Sequence, residues 1–472
     1  MRKGSKNYFL KDNRMIDTND WEDTWGTIDW EDASEENIFK KIRNLLSNGV
    51  NVNLRDESGR TALMYAAQYD HAERSRELIE AGADVNACNS SNRTALLIAA
   101  EKGNVRTVKA LIENNANVNA KDVSGWTALM YAAMDGHPKT AKELIKAGAR
   151  VDEPNKDRRT ALHYASFYGR PEIVDMLIKS GANVNIMDHW KNTPLMEAAL
   201  GKQAEAVRVL IEANAQVDWK NKWGKTALIE AVGDKALSEK VVTELIAANA
   251  DLNETDEDEE TALMKAVRRN DIKSVKVLIN AGAYLNIQNE YGVTALTLAT
   301  AMGNIDMANL LINAGADVNA GAETGTTALI IAACNGRRKI LRDLMRAGAD
   351  VNAHDGDGDT ALIGAAKKNY IGIVDDLIYA HAGLNAQDEN GYTALMHAAE
   401  SGYVEIVEKL IEAGADVSIE NENGNTALHL TTNPQIATML QRKTIKPQMI
   451  VLRHSKAGDN VRLFNIGGKE HG

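Results

Sequence analysis

At 472 residues the chain is longer than one hydrophobic core serves, and length alone allots it about three domains, unless it is built from repeats, which lengthen without a single core. A net charge of −12 argues against a nucleic-acid binder, which needs a basic footprint to meet phosphates. Cys88 and Cys334, the two cysteines, are too few and too far apart for a disulfide framework or a cysteine metal site, and they fit a reducing compartment.

The basic start "MRKGSKNYFLKDN" has an apolar run of only Tyr8 to Leu10, too short for a signal peptide. No stretch approaches the roughly 18 apolar residues of a membrane span. A cytoplasmic protein with no membrane partner is therefore expected. Next comes "WEDTWGTIDWEDASEEN", in which Trp21, Trp25 and Trp30 stand among acids. Two readings are open for it. It caps a stack, polar outside and apolar inside, or it is an acidic peptide with aromatic anchors that occupies a groove in its own molecule or in a neighbour.

From residue 35 a period takes over. "TALMYAA" at Thr61 returns, with small changes, at Thr94, Thr127, Thr160, Thr193, Thr226, Thr261, Thr294, Thr327, Thr360, Thr393 and Thr426. The spacing is 33 residues throughout except for 35 between Thr226 and Thr261. A second phrase, "LIEAGADVNA" and its variants, keeps step from Leu78 to Leu410. The threonine is placed to N-cap a first helix. Ala128, Leu129, Ala132 and Ala133 then recur at helical spacing. A turn at "DGHP" starts a second helix anchored by Leu144 and Ile145, and Gly148 marks its left-handed end. Asn115, Asn214, Asn249 and His381 replace that glycine and must take the same conformation. "ASEENIFKKIRNLLSNG" before Thr61 reads as the second half of a first, degenerate repeat.

These twelve in-register phrases resemble the ankyrin repeat, over about residues 35–442. The resemblance implies an all-α solenoid of helix-turn-helix units with extended finger loops. It implies a concave binding surface formed by the fingers and inner helices. It also implies that the histidines after the threonine phrase, His163 and His429, bond to neighbouring loops. Residues 1–34 are then an N-terminal segment and part of the cap. Residues 443–472 form a tail whose two apolar runs, flanking "KAGDN", predict a β-hairpin.

Function must be sought where the repeats depart from their own average. Trp126, Met134, Arg158, Arg159, Phe167, Tyr168, His189, Trp190, Lys191, Lys222, Trp223 and Lys225 occupy finger or inner-helix places in four successive repeats, with Lys156, Lys220 and Trp219 close by. Aromatic and Arg side chains are enriched at interface hot spots. The competing reading is that finger aromatics only pack on neighbouring fingers. The next finger, "ETDEDEE", reverses the sign. Four residues after the threonine, Tyr65, Ile98, Tyr131 and Tyr164 give way to Glu197, Glu230 and Lys265; Glu197 and Lys265, two repeats apart, are not expected to touch.

No catalytic, cofactor or metal site is expected. "HDGDGDT" at His354 lacks the later glycine and glutamate of a calcium loop. No phosphate loop or nucleophile elbow occurs. The sequence outside the repeats is too short for an ordinary enzyme domain. The expected function is a non-catalytic interaction scaffold for a protein partner with an acidic or mixed, partly apolar surface, of undetermined oligomeric state. The rival forms are a stoichiometric inhibitor or immunity-type protein, a host-targeting effector, and a module that binds nucleic acid through its local basic patch.

Overall fold

The structure is a computed structural model that describes residues 8–11, 14–17, 24–29, 35–233 and 237–444. Two compact units, residues 1–284 and 285–472, are built from the same helix pair. The first holds the repeats from Thr61 to Thr261 and the second those from Thr294 to Thr426. No helix among the described residues is long and apolar enough to cross a membrane.

The repeat forms as its residues dictate. Thr127 is extended, and its hydroxyl accepts the Met130 N–H at 3.3 Å, which satisfies one of the donors a helix start leaves free. Thr94, Thr193, Thr226 and Thr261 do the same in the first unit, and Thr294, Thr327, Thr360 and Thr393 in the second. The helix Ala128–Asp135 buries Ala128, Leu129, Ala132 and Ala133. Alanine lets inner helices of successive repeats approach closely. The second helix, Pro138–Lys146, opens with proline at its first turn, where no N–H is needed. Leu144 is fully buried, and Gly148 ends the helix at φ +88°. Asn115, Asn214, Asn249 and His381 take the left-handed conformation at φ +60° to +65°, as expected of residues in the glycine's place.

His163 combines two roles. Its Nδ1 accepts the Thr160 N–H at 3.1 Å, so the proton sits on Nε2, which donates to the Asn192 carbonyl of the next finger at 3.2 Å. Burial pushes its pKa down to about 4, which keeps the ring neutral. His429 Nδ1 accepts the Thr426 N–H in the same way. The two extra residues of the Thr226 repeat fall between a first helix cut to Ala227–Ala231 and a second helix Ser238–Ala247.

The array is all-α, as expected, and the N-terminal segment adds a short sheet outside it. Strands Tyr8–Lys11 and Arg14–Asp17 pair antiparallel, with Tyr8 opposite Asp17. A single 3-10 turn, Trp25–Thr27, follows. Trp25 is fully buried, and its indole N–H donates to the Asn51 carbonyl at 3.0 Å. Ile28 is buried with it, as are Ile38 and Ile42 on the helix Glu35–Ser47. This geometry favours the cap reading for Trp25: among the described residues no repeat precedes the helix Glu35–Ser47, and the buried ring bonds to the chain that follows that helix. Trp21 and Trp30 lie outside the described residues, as does the hairpin expected in the tail. The last helix, Pro434–Thr444, runs two residues past Arg442.

Removing the Trp25 ring should therefore cost about 3–5 kcal/mol, and Leu144→Ala about 2–5 kcal/mol, as buried truncations do. Thermal unfolding of the full chain, with amide exchange read in Glu35–Ser47 and Ala62–Gln68, measures both. An unchanged melting temperature in Trp25→Ala would sink the cap assignment.

Candidate interaction surface

Every finger but the one before Thr327 carries an organising side chain, an Asp or Asn five residues before the helix-capping threonine. Asp122 Oδ1 accepts the N–H of Ser124 at 2.8 Å and of Trp126 at 2.9 Å. Asp188 does this for Trp190 and Asn192, and Asn221 for Trp223 and Lys225. Adjacent tips are then tied backbone to backbone. Lys156 N–H donates to the Ser124 carbonyl at 3.1 Å, His189 to Asp157 at 2.9 Å, and Lys222 to Trp190 at 2.9 Å. The same device explains "HDGDGDT": Asp355 accepts the Asp357 and Asp359 amides, and Asp359 pairs with Lys367 at 2.7 Å.

On six fingers the second oxygen or nitrogen of the organising residue faces a polar side chain four residues after the threonine, whereas Ile98, Leu298, Ile331, Gly364 and Leu430 stand there on five others. Asp56 accepts from the Tyr65 hydroxyl at 2.8 Å, and Asp122 from the Tyr131 hydroxyl at 2.6 Å. Asn155 donates to the Tyr164 hydroxyl at 2.8 Å. Asn221 donates to Glu230 at 3.4 Å. Asp256 pairs with Lys265 and Asp388 with His397, each at 2.7 Å. The change from tyrosine to Glu230 and Lys265 is thus a matched exchange inside one repeat. Burial and the Asp122 carboxylate hold the Tyr131 hydroxyl well above the ordinary phenol range; burial pushes Tyr164 up to about 12.

The Thr193 repeat breaks the match. Here both partners are acids, Asp188 and Glu197, and both side chains are almost wholly buried. The preceding finger supplies the counter-charge. Arg159 Nε donates to Asp188 Oδ2 at 3.0 Å, and Arg159 Nη2 donates to Glu197 Oε1 at 2.5 Å. The Asn192 amide donates to Glu197 at 3.2 Å and accepts from Asn221 at 3.0 Å. Trp190 lies beside this cluster, its ring centroid 5.4 Å from the Arg159 guanidinium, within cation–π range. Burial raises the Glu197 carboxyl to about 7; Arg159 opposes that rise and Asp188 adds to it. Glu197 does not touch Lys265, which clamps Asp256, Asp258 and Glu260 instead.

The sequence-selected residues sort into two groups. Trp126 is half-buried between the rings of Tyr131 and Tyr164, at 5.1 and 4.2 Å. Met134 and Phe167 are half-buried, and Arg159 is committed to its two carboxylates. Lys225 lies 3.8 Å from Glu230, and Lys220 pairs with Glu254 at 2.6 Å. Arg158, Tyr168, His189, Lys191, Lys222 and Trp223 are exposed. Tyr168 packs edge-on to Phe167 at 5.1 Å and His189 edge-on to Trp190 at 5.6 Å. Arg158 and Lys191 hold left-handed backbone at φ +61° and +62°, the place that Gly59, Gly125 and Gly224 fill on other fingers. Beyond Trp223 a cleft of about 270 Å³ opens, lined also by Lys225, Glu230, Asp256, Glu257 and Asp258. Asp188, Asn192 and the organising Asp/Asn column escaped the sequence reading. The signal was present, since Asp or Asn recurs at that place on every finger but one, where Ala322 stands.

The family model for ankyrin repeats matches residues 31–122, 121–188, 181–256, 234–322, 314–387 and 362–449. The chain belongs to the ankyrin repeat family. Among solved structures, the ankyrin repeat domain of human ASB11 is similar at 26% identity and a TM-score of 0.43, covering 46% of this chain and 98% of that one. No curated protein matches. Ankyrin repeats generally mediate protein–protein interaction, and the ankyrin fold is typically a non-catalytic scaffold.

Because Glu197 has a folded pKa above its unfolded value, the folded state holds a proton that the unfolded chain gives up. That stabilisation is full below about pH 4.5 and is lost as pH rises through about 7. The Glu197 contribution to stability should therefore fall between about pH 5 and 8 by up to ~3 kcal/mol, while His163, whose pKa burial depresses to about 4, contributes in the opposite sense as pH rises from about 4 to 6.5. Glu197→Gln should remove only the first, so that the two profiles diverge between about pH 5 and 8. Parallel profiles for the two proteins would contradict the assignment.

Proposed function

We propose that this protein is a non-catalytic scaffold that docks a protein partner on the fingers and inner helices of the repeats from Thr127 to Thr226. The partner presents an acidic or mixed, partly apolar surface, and neither a membrane nor a nucleic acid is required. One observation carries the reading. In a chain of net charge −12, Lys156, Arg158, Lys191 and Lys222 stand exposed on three successive fingers with no carboxylate partner among the described residues. Exposed Tyr168, Trp219 and Trp223 lie on the same stretch.

Backbone strain supports it. A left-handed side chain costs roughly 1–2 kcal/mol where glycine costs none. Arg158 and Lys191 both hold that conformation, and a strained place kept by a long basic residue points to use of the side chain. The packing alternative accounts for Trp126 and Arg159, whose partners lie within the protein, and leaves the exposed residues unexplained.

A pull-down from the source cells, followed by affinity measurement with the captured partner, tests this. Trp223→Ala should cost about 2 kcal/mol or more if the ring is a hot spot. Arg158→Gly with Lys191→Gly should weaken binding while leaving the melting temperature equal or higher. Lys142→Ala, on the outer helix, should change little. Unaltered affinity in the finger variants places the partner elsewhere.

A further inference from the structure

The −4 position of each finger, four residues before the threonine, has a fixed place in space. Its backbone N–H is the one that ties adjacent tips together, so its side chain projects from a row braced at both ends. Six fingers carry glutamate there: Glu57, Glu257, Glu290, Glu323, Glu389 and Glu422. Lys156, His189 and Lys222 occupy the same position on three consecutive fingers, all exposed. Arg158 and Lys191, two residues further on, form a second exposed basic row beside the first. Trp190 and Trp223 lie between the rows, one half-buried and one exposed. The tooth-to-tooth spacing follows from the repeat. Neighbouring inner helices pack about 8–10 Å apart, and an extended polyproline-II chain advances about 3.1 Å per residue with three residues per turn, so that every third side chain faces the same way. Three extended residues therefore span one tooth.

We infer that this comb holds an extended acidic segment of the partner, whose carboxylates recur at every third residue and whose intervening apolar side chains lie on the tryptophans. The inference rests on the docking surface proposed above and adds the partner's form and register. A rigid comb explains why the basic side chains sit on the tip rows. Main-chain hydrogen bonds fix where these side chains start, so binding orders the side chains alone and not the loop that carries them. Charge complementarity fixes the occupant. The flanking finger turns acidic at Glu257, Asp258 and Glu259, all exposed, so an acidic segment is repelled beyond Trp223 and its register is bounded on that side.

The test uses the full chain and fluorescein-labelled synthetic peptides of about twelve residues. One repeats Glu-Ser-Val; a second has the same composition with its glutamates contiguous; a third probe is a single-stranded oligothymidine of similar charge. Anisotropy is read at about 0.1 M salt. The periodic peptide should bind at least tenfold more tightly than the contiguous one, and Lys156→Glu with Lys222→Glu should abolish the difference. Glutamate stands at that position on six other fingers, so this variant keeps the local fold; an unchanged melting temperature verifies it. Equal binding of the two peptides, or binding by neither, overturns the register. If the pull-down partner still depends on Trp223, that result overturns the inference alone and leaves the docking surface standing. Preference for the oligothymidine, with a steep salt dependence, overturns both.

Discussion

The surface depends on one repeated interaction, the Asp or Asn that accepts two backbone amides of its own finger. An extended loop has amides with no ladder to join, and those that packing shields from water need another acceptor. Asp122, Asp188 and Asn221 give those amides a local acceptor. The tip is then shaped so that the next finger's amide meets its carbonyl. Stacking multiplies the effect: a repeat presents a ready edge to its neighbour, and side chains on the tips are displayed from a frame they do not have to build.

That frame also constrains the inner helix. On six fingers the other face of the organising residue meets a tyrosine, lysine, histidine or glutamate of the inner helix; on five others Ile98, Leu298, Ile331, Gly364 or Leu430 stands there instead. The Thr193 repeat places Asp188 against Glu197 and borrows Arg159 from the preceding finger. A buried ionic cluster is weak support for stability, because desolvation offsets the Coulomb attraction. Here it ties together two repeats within the region whose surface is the most basic and aromatic. Arg159 thereby serves the interior, and the exposed charge of that stretch falls to Lys156, Arg158, Lys191 and Lys222.

Much of this was legible in the sequence because a period exposes its own exceptions. The threonine caps, the left-handed Asn115, Asn214, Asn249 and His381 and the extra residues after Ala231 follow from phrases compared in register, and the bond from His163 to the next finger from the resemblance to the ankyrin repeat. The pairing of position −5 with position +4 was not, because each member was read within its own column. Glu230 and Lys265 look irregular alone and matched once Asn221 and Asp256 stand beside them. The role of Arg159 was illegible for a different reason: its partners lie 29 and 38 residues away, in another repeat. The short strands Tyr8–Lys11 and Arg14–Asp17 carried no repeat to compare. Exposure of Trp223 against half-burial of Trp126 depends on neighbouring rings, Tyr131 and Tyr164 for the latter, that a linear reading does not place.

The central claim, a finger frame pre-formed by one side chain, is open to direct measurement by residue-resolved amide hydrogen exchange on the full chain. Trp190 and Asn192 amides, held by Asp188, and His189 and Lys222 amides, held by the tip ladder, should exchange at least tenfold more slowly than those of Thr324 and Thr326, where Ala322 replaces the organising residue. Equal exchange across the two sets would show that the fingers are not held in this way.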